Sequence, residues 1–77
     1  MIKILLFAGL KDRVGKSFIT LENGPMTVSE LKKELEKVSG LENLTNVMVA
    51  VNETYADGDV VVRAGDTVAL IPPVSGG

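Results

Sequence analysis

The chain has no cysteine, no histidine and no tryptophan among its 77 residues, and only one tyrosine and two phenylalanines. The first two absences remove whole classes of chemistry. No disulfide can staple the fold, and cysteine usage leaves no trace of a redox compartment. A Cys/His metal site, a thiolate nucleophile, a Ser-His-Asp relay and an imidazole base are excluded. A chain this poor in catalytic side chains does not read as an enzyme acting alone. Positive charge is also sparse: 8 Lys+Arg stand against 10 Asp+Glu, for a net charge of -2. The basic residues are scattered, so the concentrated positive face that nucleic-acid binding needs is missing. No apolar run approaches the roughly 20 residues of a membrane span. Residues 1–8 are apolar but lack the basic leader, the length and the cleavage site of a targeting peptide. The expected location is the cytoplasm, with no nucleic-acid or membrane partner.

What remains is a small globular domain. The hydrophobic fraction is 45% and the charged fraction 23%, which is ordinary for a folded soluble chain and too apolar for disorder. At this size the expected stability is on the order of 5 kcal/mol. Residues 2–8 form a nearly continuous apolar run, the pattern of a central strand buried on both faces. Residues 10–15 read as a polar connection with one helical turn. Residues 16–22 alternate, with Phe18, Thr20 and Glu22 on one side and Ser17, Ile19 and Leu21 on the other, as in a strand returning beside the first.

Thr27-Val28-Ser29-Glu30 matches a capping box, in which the Thr27 hydroxyl and Glu30 carboxylate satisfy each other's amides. Val28, Leu31, Leu35 and Val38 then repeat at steps of three and four, predicting a helix of about three turns that ends at Gly40. Further strands are expected over residues 47–51, 60–62 and 67–71. Turns are expected at Asn52-Glu53, residues 57–59 and residues 63–66. One amphipathic helix needs one sheet face to cover it. With the first and last strands central and parallel, the order strand, strand, helix, strand, strand, strand is a β-grasp, or ubiquitin-like, α+β fold. The expected architecture is a mixed sheet of about five strands on one main helix, occupying residues 1–73.

The sequence closes with Pro72-Pro73-Val74-Ser75-Gly76-Gly77. The prolines cannot donate ladder hydrogen bonds, so regular pairing should stop there. Residues 74–77 are expected to form a flexible tail. Two residues without side chains let a backbone pass close to a partner's substrate, and four residues reach about 13 Å when extended. Such a tail suits insertion into another protein's narrow site, with Gly77's own carboxylate as the reactive group. Ser75 reads as a spacer, since nothing near it in sequence would deprotonate it.

Taken together, residues 1–8, Thr27-Val28-Ser29-Glu30-Leu31, Val49-Ala50-Val51-Asn52-Glu53 and the segment from Gly65-Asp66 through Pro72-Pro73-Val74-Ser75-Gly76-Gly77 resemble the MoaD/ThiS family of β-grasp sulfur carriers. The likeness is to the small subunits of molybdopterin synthase in particular. The resemblance implies that Gly77 is the acyl-adenylate site. An E1-like adenylyltransferase would activate it with ATP, a sulfur donor protein would convert it to a thiocarboxylate (a C-terminal 1-thioglycine), and the sulfur would pass to cyclic pyranopterin monophosphate. The implied partner is the large synthase subunit, in a heterotetramer, with no cofactor or metal bound to the carrier itself. Pro72, Pro73, Val74, Ser75 and Gly76 would form the inserted tail. Phe7, Leu10, Lys11, Arg13 and Leu70 are the expected partner interface. The chain departs from the family pattern at Lys11-Asp12, where Arg-Glu is usual, and at Leu70-Ile71, where many members carry aromatics. A thiamine-pathway sulfur carrier and a ubiquitin-like modifier conjugated through Gly77 are the alternative readings.

Overall fold

Burial alternates along the first strand, and that alternation sets the frame of the molecule. In the computed structural model, which describes residues 1–22 and 24–73, β1 (Ile2–Leu6) buries Ile2, Ile4 and Leu6 while Lys3 is exposed and Leu5 half-buried. Successive strand residues face opposite sides of the sheet, so one face is covered and the other is open. The expected burial on both faces is corrected here. The strand is central, but the helices that bury Leu10, Val28, Leu31 and Leu35 do so into the same core as Ile2, Ile4 and Leu6.

α1 (Ala8–Val14) follows directly and is longer than the single turn expected. It buries Leu10 and ends at Gly15, whose φ of 82° lets its N–H close back onto the Lys11 carbonyl. β2 (Phe18–Leu21) then runs antiparallel to β1, with Ile4 opposite Ile19 and Leu5 opposite Phe18. The remaining elements are β3 (Met26–Thr27), α2 (Val28–Leu35), β4 (Met48–Val51), β5 (Thr54–Tyr55), β6 (Val61–Val62) and β7 (Thr67–Ile71). The main sheet has the order β2-β1-β7-β4-β5. β1 and β7 lie at its centre and run parallel, with Lys3 beside Thr67 and Leu6 beside Leu70. That is the β-grasp arrangement.

Two strands differ from the sequence reading. The short run ending in β6 pairs with β3 in a separate ribbon rather than joining the main sheet. The fifth strand of the main sheet is instead β5, formed where only a turn is legible. It exists because Asn52 and Glu53 both take positive φ, 50° and 72°, which makes a two-residue hairpin turn matched to strand twist. Val51 and Thr54 close the hairpin. Asparagine tolerates this region, whereas glutamate pays roughly 1 kcal/mol there. Glu53→Gly is therefore expected to raise stability by about 0.5–1 kcal/mol, read as a higher urea midpoint at unchanged slope.

The capping box of α2 is present as read. The Glu30 amide donates to Thr27 Oγ1 at 3.2 Å and the Thr27 amide donates to Glu30 Oε1 at 2.9 Å. The Val28 and Ser29 amides donate to the carbonyls of Val60 and Gly58. The loop before β6 thus satisfies helix-end donors that would otherwise lack partners. The regular helix is shorter than three turns. Beyond Leu35, the Lys37 and Val38 amides reach back only three residues, to Glu34 and Leu35, so the end tightens into a 3₁₀ turn. Gly40 lies past that turn at φ 100°, against the backbone of Arg13, where an added Cβ would come within 3.0 Å of the Arg13 carbonyl carbon.

The hydrogen bonds from Thr27 hold the Glu30 carboxyl below its ordinary range. Those from the Arg63 amide and then the Asn52 side chain do the same for Asp66. Both folded pKa values lie below the unfolded ones, so their contribution is present at neutral pH and lost as pH falls through the folded values. Asp66→Asn is expected to be less stable than the parent at neutral pH, with a smaller further loss on acidification. Urea midpoints at pH 7 and pH 3 measure this.

Candidate functional site

The open face of the sheet and the end of β7 meet at one place. A single row of residues crosses all strands of the main sheet on its uncovered side. Phe18 pairs with Leu5, Leu5 with Ala69, Ala69 with Ala50, and Ala50 with Tyr55. Aromatics stand at both ends of this row and small or half-buried residues lie between them. With strands about 4.8 Å apart, the two rings stand roughly 19 Å from each other across a shallow apolar saddle. The next row on the same face is Ile71 beside Met48. Phe7, Phe18, Met48 and Tyr55 are 46%, 46%, 53% and 64% exposed. For a chain with so few aromatics, this concentration of exposed apolar side chains on one face marks an interaction surface. Lys3 lies on the same face with its ammonium 4.6 Å from the centre of the Phe18 ring, a cation–π contact that holds the ring in place.

β7 delivers the chain into this region. Its last ladder pair is Ile71 with Met48. Pro72 is half-buried and Pro73 exposed as the backbone leaves the sheet. The other end of β7 is pinned. The Asn52 side chain donates to Asp66 Oδ1 at 3.0 Å and accepts from the Thr67 amide at 3.0 Å. Asp66 Oδ2 also accepts from the Arg63 amide at 2.8 Å, and the Asn52 amide donates to the Thr67 carbonyl. A one-residue slip of a strand would exchange its two faces. This network fixes the register of β7 and with it the point at which residues 72–73 leave the sheet.

The expected interface residues separate into two groups. Phe7, Lys11 and Arg13 are exposed. Leu10 and Leu70 are fully buried members of the core and present no side-chain surface to a partner, because Leu70 faces the core between Leu6 and Val49. Neighbouring Ile71 faces the open side. Val74, Ser75, Gly76 and Gly77 lie outside the described residues. The residues missed by the sequence reading are Leu5, Phe18, Met48, Ala50, Tyr55, Ala69 and Ile71. Alternation in β4 and β7 held the signal for Met48, Ala50 and Ala69. Tyr55 was hidden by the unrecognised hairpin. A second cleft, between the start of α2 and the β4–β5 edge, is lined by Ser29, Lys32, Met48, Tyr55 and Asp57 among others. Among the described residues, no group of three or more carboxylates, histidines or cysteines is placed to hold a metal ion, and no helix is long and apolar enough to cross a membrane.

This fold defines a ubiquitin-like β-grasp domain with one sheet face left open. Residues 4–77 match the ThiS family, and the chain belongs to that family. The molybdopterin synthase sulfur carrier subunit of Arabidopsis thaliana is 37% identical over 79 residues, covering 99% of this chain and 82% of that protein. The crystal structure of SAMP1 from Haloferax volcanii superposes with a TM-score of 0.81 at 29% identity, over 99% of this chain and 98% of that one. A chain in the complex of subunits 1 and 2 of the molybdopterin-converting factor from Helicobacter pylori superposes with a TM-score of 0.73 at 26% identity, over 99% and 97%.

Proposed function

We propose that this chain is the sulfur-carrier subunit of a molybdopterin synthase and that Gly77 carries the sulfur. The observation that carries the reading is the family match, which runs through the Pro-Pro-Val-Ser-Gly-Gly segment to residue 77. Relatives 30–38% identical over nearly the whole chain are molybdopterin synthase sulfur carrier subunits. The chemistry is consistent with the side chains available. A carboxylate is a poor acyl donor, because its charge repels nucleophiles and oxide is a poor leaving group. Attack of the Gly77 carboxylate on the α-phosphate of ATP, in an E1-like partner, gives an acyl adenylate and releases pyrophosphate. The terminal sulfur of a donor protein's persulfide displaces AMP to give an acyl disulfide, and a partner thiol then cleaves its S–S bond, leaving a thiocarboxylate on Gly77 and a disulfide between the donor and that thiol. The large subunit then takes that sulfur for the pterin substrate, and water returns the terminus to a carboxylate. The carrier contributes positioning, with its partners supplying acid, base and phosphate binding.

The open sheet face is the docking surface in this proposal. Phe7, Met48 and Ile71 adjoin the start of the tail, so a partner seated there would receive residues 74–77 directly. Lys11 and Arg13, exposed on α1, stand as rim charges. Partner binding to one subunit of the Helicobacter pylori complex supports a large-subunit partner. Met48→Asp, on an exposed side chain, is expected to lower stability by no more than about 1 kcal/mol and to weaken binding to the large subunit at least tenfold by calorimetry. Unchanged affinity would remove Met48 from the interface.

The test of the function is an intact-mass measurement. The chain is incubated with ATP, a sulfur source and its cognate activating enzyme. A gain equal to replacing one oxygen by sulfur, lost on adding large subunit and pterin substrate, is the expected result. No gain with any cognate activator would overturn the carrier reading. A second reading, as a protein modifier, is favoured by the likeness to SAMP1, a small archaeal modifier protein. ATP-dependent isopeptide conjugates through Gly77 would mark that activity.

A further inference from the structure

Among the described residues, no strand neighbours the outer edge of β2. Ile4 pairs with Ile19 and Ile2 with Leu21, and the Leu6 amide donates to the Ser17 carbonyl. The hydrogen-bonding groups of Ser17, Ile19 and Leu21 therefore turn inward to β1. Those of Phe18 and Thr20 turn outward, since the backbone alternates. A shallow groove lined by Lys16, Ser17, Phe18, Ile19 and Thr20 runs along this edge. The edge carries no proline and no inward-pointing charge, two of the means by which a sheet edge is kept from pairing. Its charges are Lys16 and Glu22, both exposed and just outside β2; continuing the alternation of the strand places them on the open face with Phe18 and Thr20.

We propose that this edge binds a second copy of the same strand, giving a two-fold dimer with one continuous sheet. The argument for this occupant is self-complementarity. With the two-fold axis at Ile19, the outward groups of Phe18 meet those of Thr20 in the second copy, forming a hydrogen-bonded pair on each side of the axis. In that register Lys16 of each copy lies opposite Glu22 of the other, on the same face. A shift of two residues in either direction separates both charge pairs, placing Lys16 opposite Thr20 or Gly24. Opposite charges directly across a strand pair are favourable and fix the register. The half-buried Ile19 side chains, already packed against each core, would meet on the axis and complete their burial. Tails of the two copies leave from opposite ends of the joint sheet, and neither β7 nor the Met48–Ile71 row is covered.

Sedimentation velocity on the full chain, from micromolar to millimolar concentration, tests this. The expected result is a concentration-dependent shift from monomer to dimer, weaker at high salt. A monomer at millimolar concentration overturns the proposal. Lys16→Glu should weaken the dimer about tenfold or more by setting like charges across both ends. The charge swap Lys16→Glu with Glu22→Lys should restore it, and failure to restore would overturn the register. Thr20→Pro removes an outward N–H without touching the β1–β2 ladder and should abolish the dimer. A folded Thr20→Pro chain, judged by circular dichroism, that still dimerises as the parent does would overturn the edge itself. These readouts are masses, independent of sulfur loading, so they fail or succeed apart from the carrier function.

Discussion

A chain with one alanine added after Gly77 is expected to fold as the parent does and to accept sulfur at least about 100-fold more slowly. The two halves of this result have separate causes. Stability resides in the core beneath the sheet, and the last ladder pair is Ile71 with Met48. A residue added seven positions beyond that pair removes no described contact, so the stability should stay within about 0.5 kcal/mol of the parent. In the proposed function, activity depends on where the terminal carboxylate reaches. One added residue moves it by about 3.5 Å and replaces a bare glycine carboxylate with one carrying a methyl group. Misplacement of a reacting atom by about 1 Å already costs on the order of 100-fold. The measured quantity is the rate of mass gain with ATP, sulfur source and activating enzyme, and a fall of at least about 100-fold is expected. An extended chain that accepts sulfur at the parent rate would show that the reactive carboxylate is not at Gly77. Gly77→Ala isolates the methyl group from the added length and should give a smaller loss.

Much of this architecture was readable from local rules. The capping box at Thr27 and Glu30 is a four-residue pattern with its partners inside it, so nothing distant can overrule it. The parallel central pair of β1 and β7 followed from two apolar strands and one helix that must cover a sheet. What was not readable depended on distant or conformational facts. β5 required Glu53 to take a backbone conformation that its side chain disfavours. The length of α1 gave no strong periodic signal, because only Leu10 in it is fully buried. The assignment of Leu10 and Leu70 to an interface failed for a related reason. Composition shows that a residue is apolar, but only the register shows which side of the sheet it faces. The open-face row from Phe18 to Tyr55 is assembled from five strands, and no single stretch of sequence contains it.

That division between faces yields the second large effect. Leu70→Ala and Ile71→Ala alter adjacent residues of the same central strand, yet they should behave as different kinds of variant. Leu70 is fully buried, flanked by Leu6 on β1 and Val49 on β4. Truncating it removes packing on the core side at the middle of the sheet, where the two neighbouring strands cannot close the gap. Such a change costs about 2–5 kcal/mol, against a total stability on the order of 5 kcal/mol. The Leu70→Ala chain should be largely unfolded at 37 °C, with its far-ultraviolet circular dichroism lost and its urea midpoint lowered by half or more. Ile71 is half-buried on the open side beside Met48. Its truncation removes less contact and leaves no enclosed cavity, so a loss of about 1 kcal/mol is expected. The Ile71→Ala chain should stay folded while binding the large subunit more weakly. Equal destabilisation by the two substitutions would mean that the sheet is covered on both faces. In that case the docking surface assigned to the Met48–Ile71 row would not exist.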